Sequence, residues 1–122
     1  MTSFGQYLRQ LRETRHAAAQ AADVGRYTLR SVAANAGLEP SYLSKIERDI
    51  QPPPSEAKVR ALAEALGEDA DVLLALAGKV SGDLLEAIRK RPQLFAHIIR
   101  ELKDMPDHAV LRIVREVRDG QW

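Results

Sequence analysis

Residues 28–48 read TLRSVAANAGLEPSYLSKIER, a stretch with the punctuation of two short helices joined by a sharp turn. Thr28 is a good N-cap, because its hydroxyl oxygen can accept a hydrogen bond from one of the unpaired N–H groups of a first helical turn. Leu29, Val32, Ala33 and Ala36 then recur at helical spacing and form an inner face. Gly37 stops that helix, since glycine adopts left-handed backbone without steric penalty. Pro40 or Ser41 opens the next helix, where proline suits the first turn, and Leu43 and Ile46 face inward. Counted from Leu29, small Ala33 is fifth, Gly37 ninth, Leu43 fifteenth and Ile46 eighteenth, the spacing of a helix-turn-helix. Ala33 lets two helix axes approach closely, and Leu43 with Ile46 tethers the second helix to the body. That leaves Ser41, Tyr42, Ser44, Lys45 and Arg48 directed away from the core, on a short, polar, basic helix that can enter a major groove.

Outward from this stretch the whole chain reads as helical. Ala and Leu dominate the apolar set and no β-branched run alternates. A first helix runs from about Phe4, with Phe4, Leu8 and Leu11 on one face and Arg9, Arg12 and Arg15 nearby. Residues 16–24, HAAAQAADV, either continue it to a stop at Gly25 or form a loose Ala-rich loop; the sequence leaves both open. Pro52-Pro53-Pro54 holds the chain extended until Ser55 caps a fourth helix, whose Val59, Leu62, Ala63 and Leu66 fall at i, i+3, i+4, i+7. After Gly67 a fifth short helix uses Val72, Leu73 and Leu76 as its apolar face and ends at Gly78.

The 122 residues, 45% hydrophobic and without cysteine, suffice for a packed core without disulfide or metal staples. Thiol catalysis and thiolate zinc sites are excluded. The three histidines, His16, His97 and His108, are too scattered for a metal-ligand set, and neither a Gly-rich phosphate loop nor a nucleophile motif is present. The expectation is therefore no enzyme, no metal and no cofactor. Residues 1–7 lack the basic start and apolar run of a signal peptide, and no apolar stretch approaches the roughly 18 residues of a membrane span, so a soluble, cytoplasmic protein is expected. The net charge of +1 hides an uneven distribution: residues 1–48 hold seven basic and four acidic groups, residues 49–80 three and six, and residues 81–122 eight and seven.

Residues 28–48 closely resemble the core signature of the lambda-repressor-like, or Xre-type (Cro/cI), DNA-binding domains, and residues 55–74 resemble that family's fourth and fifth helices; the likeness covers about residues 4–77. It implies an all-α, five-helix domain over residues 1–78 that binds operator DNA as a dimer. By the family pattern Pro40, Ser41 and Lys45 lie closest to base edges, Tyr42 and Ser44 flank them, and Thr28, Arg30 and Arg48 lie against phosphates. Glu47 matches a family glutamate that pairs with an arginine of the first helix, here Arg12. Three features depart from the pattern. Glu39 stands where Ser or Thr usually caps the recognition helix. Asp49 replaces a common glycine. The link between the first two helices is roughly ten residues longer than usual.

Residues 79–83 are a polar break before a second apolar programme: Leu84, Leu85 and Ile88; Leu94, Phe95, Ile98, Ile99 and Leu102; then Val110, Leu111, Ile113, Val114 and Val117. Pro92 and Pro106 start separate helices, so residues 92–119 read as a helical hairpin within a C-terminal segment, residues 79–122. Two such helices cannot enclose a core. Leu94, Phe95, Ile98, Ile99, Leu102, Val110, Ile113, Val114 and Val117 are expected to dimerise the chain, giving a dimeric repressor on pseudo-palindromic DNA. The competing reading is a protein-interaction module, such as an antitoxin or adaptor, that binds a regulatory protein partner through the same helices.

Overall fold

Eight α-helices and one 3-10 turn account for the regular structure of the computed structural model, which describes residues 2–121. In order they are α1 (Phe4–Ala18), the 3-10 turn (Ala21–Asp23), α2 (Leu29–Ala36), α3 (Pro40–Glu47), α4 (Glu56–Leu66), α5 (Ala70–Leu76), α6 (Gly82–Lys90), α7 (Pro92–Leu102) and α8 (Asp107–Asp119), with no strand among the described residues. Trp122, expected either to fray or to fold back on the last helices, lies outside them. The described residues fall into two compact units divided between Ser81 and Gly82.

The first unit is built on local signals that agree with its packing. Ser3 and Gln6 form a reciprocal capping box at the start of α1, which satisfies two orphan N–H groups at once. Thr28 and Ser55 cap α2 and α4 through their hydroxyls, and Gly37 and Gly67 end the same two helices in left-handed backbone. The core is one cluster: Phe4 and Leu8 of α1, Val32, Ala33 and Ala36 of α2, Leu43 and Ile46 of α3, Val59, Leu62, Ala63 and Leu66 of α4, and Leu73 and Leu74 of α5. α4 is the hub, packing on α1, α2 and α5, while α3 packs on α1 and α2.

Two expectations are resolved or corrected here. Helix α1 stops at Ala18, with Ala19 extended, so residues 19–27 form a link carrying the 3-10 turn rather than a continued helix. In α5 the inward pair is Leu73 and Leu74, and Val72 is turned to solvent; packing on α4 sets the rotation of so short a helix, and Ala70 and Ala77 complete its inner stripe.

The second unit holds α6, α7 and α8, each amphipathic and none with a buried residue among those described. Pro92 and Pro106 mark the starts of α7 and α8. Helix α6 touches α7, and Phe95 and Leu102 of α7 and Val110 of α8 are half-buried. Pro106 takes extended backbone before α8, and Leu94, Ile98 and Ile99 of α7 and Leu111, Ile113, Val114 and Val117 of α8 are exposed.

Candidate nucleic-acid interface

The geometry of α3 is fixed from below. Leu43 and Ile46 are buried, Ala33 beneath them is fully buried, and Gly37 makes the α2–α3 turn at φ 70°. Lys58 Nζ donates to the Gly37 carbonyl at 3.0 Å and ties that turn to α4. At its other end α3 meets α1 at Gly5, where any Cβ would run into the carbonyl oxygen of Ile46 and the carboxylate of Asp49. Asp49 occupies left-handed backbone, φ 61°, a conformation aspartate tolerates better than most residues, and its carboxylate accepts a hydrogen bond from Ser3 Oγ at 2.8 Å.

Arg12 and Glu47 form the expected pair. Arg12 Nε donates to Glu47 Oε2 at 2.7 Å and its second guanidinium nitrogen to Oε1 at 3.0 Å, a bidentate bond. A further N–H of Arg12 reaches the Tyr27 carbonyl at 3.4 Å. The bond to Glu47 raises the Arg12 pKa above its ordinary value against the opposing effect of desolvation. One side chain thereby joins α1, α3 and the segment leading into α2.

On this frame Ser41 and Lys45 of α3, its C-cap Arg48, and Arg30 of α2 are exposed, whereas Pro40, Tyr42, Ser44 and Thr28 are half-buried. Tyr42 packs against the core cluster with one side. The Thr28 hydroxyl accepts from Ser31 N–H and donates to the Gly25 carbonyl, both at 3.2 Å, and is used up in capping. Arg48 Nε donates to the Ser44 carbonyl one turn back. Glu39 makes no side-chain capping bond and is exposed beside the N-terminus of α3. The exposed face of α3 is thus polar and basic, with Lys45 and Arg48 toward its C-terminal half.

Two arginines, Arg15 in the last turn of α1 and Arg26 of the α1–α2 link, have other work. Arg15 donates to the Gly67 carbonyl at 3.2 Å, and Arg26 pairs with Asp23 while lying over the Tyr27 ring at 5.4 Å. Arg9 is a side chain that the motif reading left unassigned; it lies one turn before Arg12 on α1, and that spacing places it beside Ser44 and Arg48. In the second unit Leu94, Ile98, Ile99, Ile113, Val114 and Val117 are exposed, and Phe95, Leu102 and Val110 are half-buried. No group of His, Asp or Glu side chains comes together as a metal-binding set among the described residues. No helix among them is long and apolar enough to cross a membrane.

A family model described as a helix-turn-helix domain matches residues 3–76. Neither a curated protein nor a solved structure matches the chain.

Proposed function

We infer the function from one premise: this chain belongs to the helix-turn-helix domain family. It is a DNA-binding regulator of the Xre subtype, a dimeric repressor that occupies pseudo-palindromic operator DNA and acts without catalysis or cofactor. The observation that carries this reading is the exposed face of α3, where Ser41, Lys45 and, at the C-cap, Arg48 are exposed on a helix anchored by buried Leu43 and Ile46. A helix so held can lie in a major groove with its side chains at base edges. Lys45 and Ser41 are the readers. Arg30 and Arg48 neutralise phosphates and release counterions, which gives affinity without sequence preference.

The apolar helices α7 and α8 supply the dimer. Their exposed Leu94, Ile98, Ile99, Ile113, Val114 and Val117 offer apolar surface to a second copy, and twofold DNA sites call for a twofold protein. Selection of bound duplexes from a random DNA pool tests the reading. Enriched sites with a dyad and half-site centres about one helical turn, roughly 10 base pairs, apart support it. Sites without a dyad, or no enrichment at all, overturn it.

A further inference from the structure

Arg9 and Arg12 of α1, Leu29 of α2, and Ser44, Glu47 and Arg48 of α3 surround an open hollow of about 180 Å³. Three arginines face one carboxylate there. The carboxylate, Glu47, is 6% exposed and bound bidentately by Arg12, so its charge is matched and does not repel an anion. The other two cations stand on the rim with weak commitments. Arg9 Nε meets Glu13 at 2.9 Å, an i,i+4 pair with both side chains more than half exposed, a kind of contact that contributes little in water. Arg48 uses its Nε on a carbonyl of its own helix. A guanidinium carries five N–H donors, and among the described residues each of these two has engaged only Nε.

We propose that this three-helix hollow seats a backbone phosphate of duplex DNA, gripped between Arg9 of α1 and Arg48 at the C-cap of α3. The proposal rests on the DNA-binding reading of α3 and adds Arg9, which the helix-turn-helix motif does not contain. Planar guanidinium groups suit phosphate oxygens in paired hydrogen bonds. Ser44 and Arg48 lie beside Lys45 on the same helix, so a groove that admits Lys45 brings its flanking strand along the rim. Glu13 is the competitor that the phosphate displaces.

The test uses the full chain and the duplex it selects from a random pool, with binding titrated between about 50 and 200 mM salt. Each phosphate neutralised contributes about 0.9 to the slope of log affinity against log salt on duplex DNA. Arg9→Gln is expected to lower that slope by about 0.9 and to weaken the selected duplex and a scrambled one by the same several-fold factor, with the selected consensus unchanged. Arg9→Lys keeps the charge and is expected to keep the slope. Arg60→Gln, which removes the same charge from an i,i+4 pair on α4 outside the hollow, is expected to leave the slope as it is. An Arg9→Gln slope equal to that of the wild type, or a fall matched by Arg60→Gln, overturns the phosphate seat while leaving DNA binding intact. A wild-type chain that selects no duplex overturns both.

Discussion

The Arg12–Glu47 pair is joined bidentately with side chains 14% and 5% exposed, and removing one partner would strand the other. Arg12→Ala is therefore expected to lower stability by about 3 kcal/mol, the lower end of the range for a broken buried pair because Arg12 keeps some contact with water. Denaturant titration measures this. The base preference of the variant that still folds should be unchanged; wild-type stability with lost specificity would instead move Arg12 onto the DNA. Lys45 and Arg48 should behave differently from Arg12 and from each other. Lys45→Ala is expected to weaken a selected site by about 1 to 3 kcal/mol and to relax preference at one base step, while Arg48→Ala weakens all sequences alike. Repeating the duplex selection with each variant separates the two roles. At this scale the sequence was legible wherever a residue type has one dominant steric use, as with Thr28, Gly37, Ser55 and Gly67. It was silent where the reason lies in a distant segment. Gly5 looks like any helical glycine until the carbonyl of Ile46 and the carboxylate of Asp49 are seen against its α-carbon.

That close approach is what joins α1 to α3. Gly5→Ala is expected to push the two helices apart, strain the Ser3–Asp49 bond, and cost about 1 to 3 kcal/mol, the usual range for overpacking a tight contact. Thermal melting of the variant, with Gly82→Ala as a partner substitution whose Cβ meets open space, checks it. A second tie from α1 carries a pH signature. Tyr7 Oη donates to Glu68 at 2.8 Å, and that hydrogen bond, with desolvation next, raises the Tyr7 pKa above its ordinary 10.0. The folded chain holds the phenolic proton more tightly than the unfolded chain does. The bond's contribution is therefore complete below pH 10 and is lost as pH rises through the folded value. Stability of wild type and Tyr7→Phe should converge in that alkaline window, and parallel curves would show that the bond contributes nothing. Helix order and most helix ends followed from caps and periodicity. The end of α1 did not, because an alanine run such as residues 17–19 favours helix by propensity alone and nothing local marks Ala18 as its last residue. Nor did the outward turn of Val72, which depends on how α4 receives a seven-residue helix.

For the whole molecule the decisive fact is that α6, α7 and α8 bury none of their described residues while α7 and α8 carry stripes at helical spacing. Isolated helices of 9 to 13 residues are marginal in water without a packed apolar face, so these helices need a partner surface to be stable. The proposed dimer would have a second copy supply the same stripes in return, since exposed apolar surface gathered on one helix face is the kind that marks an interface. The substitution that tests this follows from exposure within a single chain. Ile98 is 48% and Val114 49% exposed, so an aspartate at either place meets water in a monomer and costs the fold little. In a dimer both would be buried without a counter-charge, which is strongly unfavourable. The double variant Ile98→Asp with Val114→Asp is thus expected to sediment as a monomer at micromolar concentration, to keep the thermal stability of the first unit, and to retain the wild-type half-site preference. Its affinity for a full dyad site should fall by about 100-fold or more, because binding at the second half-site ceases to be intramolecular. A chain ended after Ser81, which retains the Lys79 bond to the Pro54 carbonyl, should match it in both assays. If the double variant sediments as the wild type does and binds the dyad equally well, the apolar stripes of α7 and α8 are not the dimer interface.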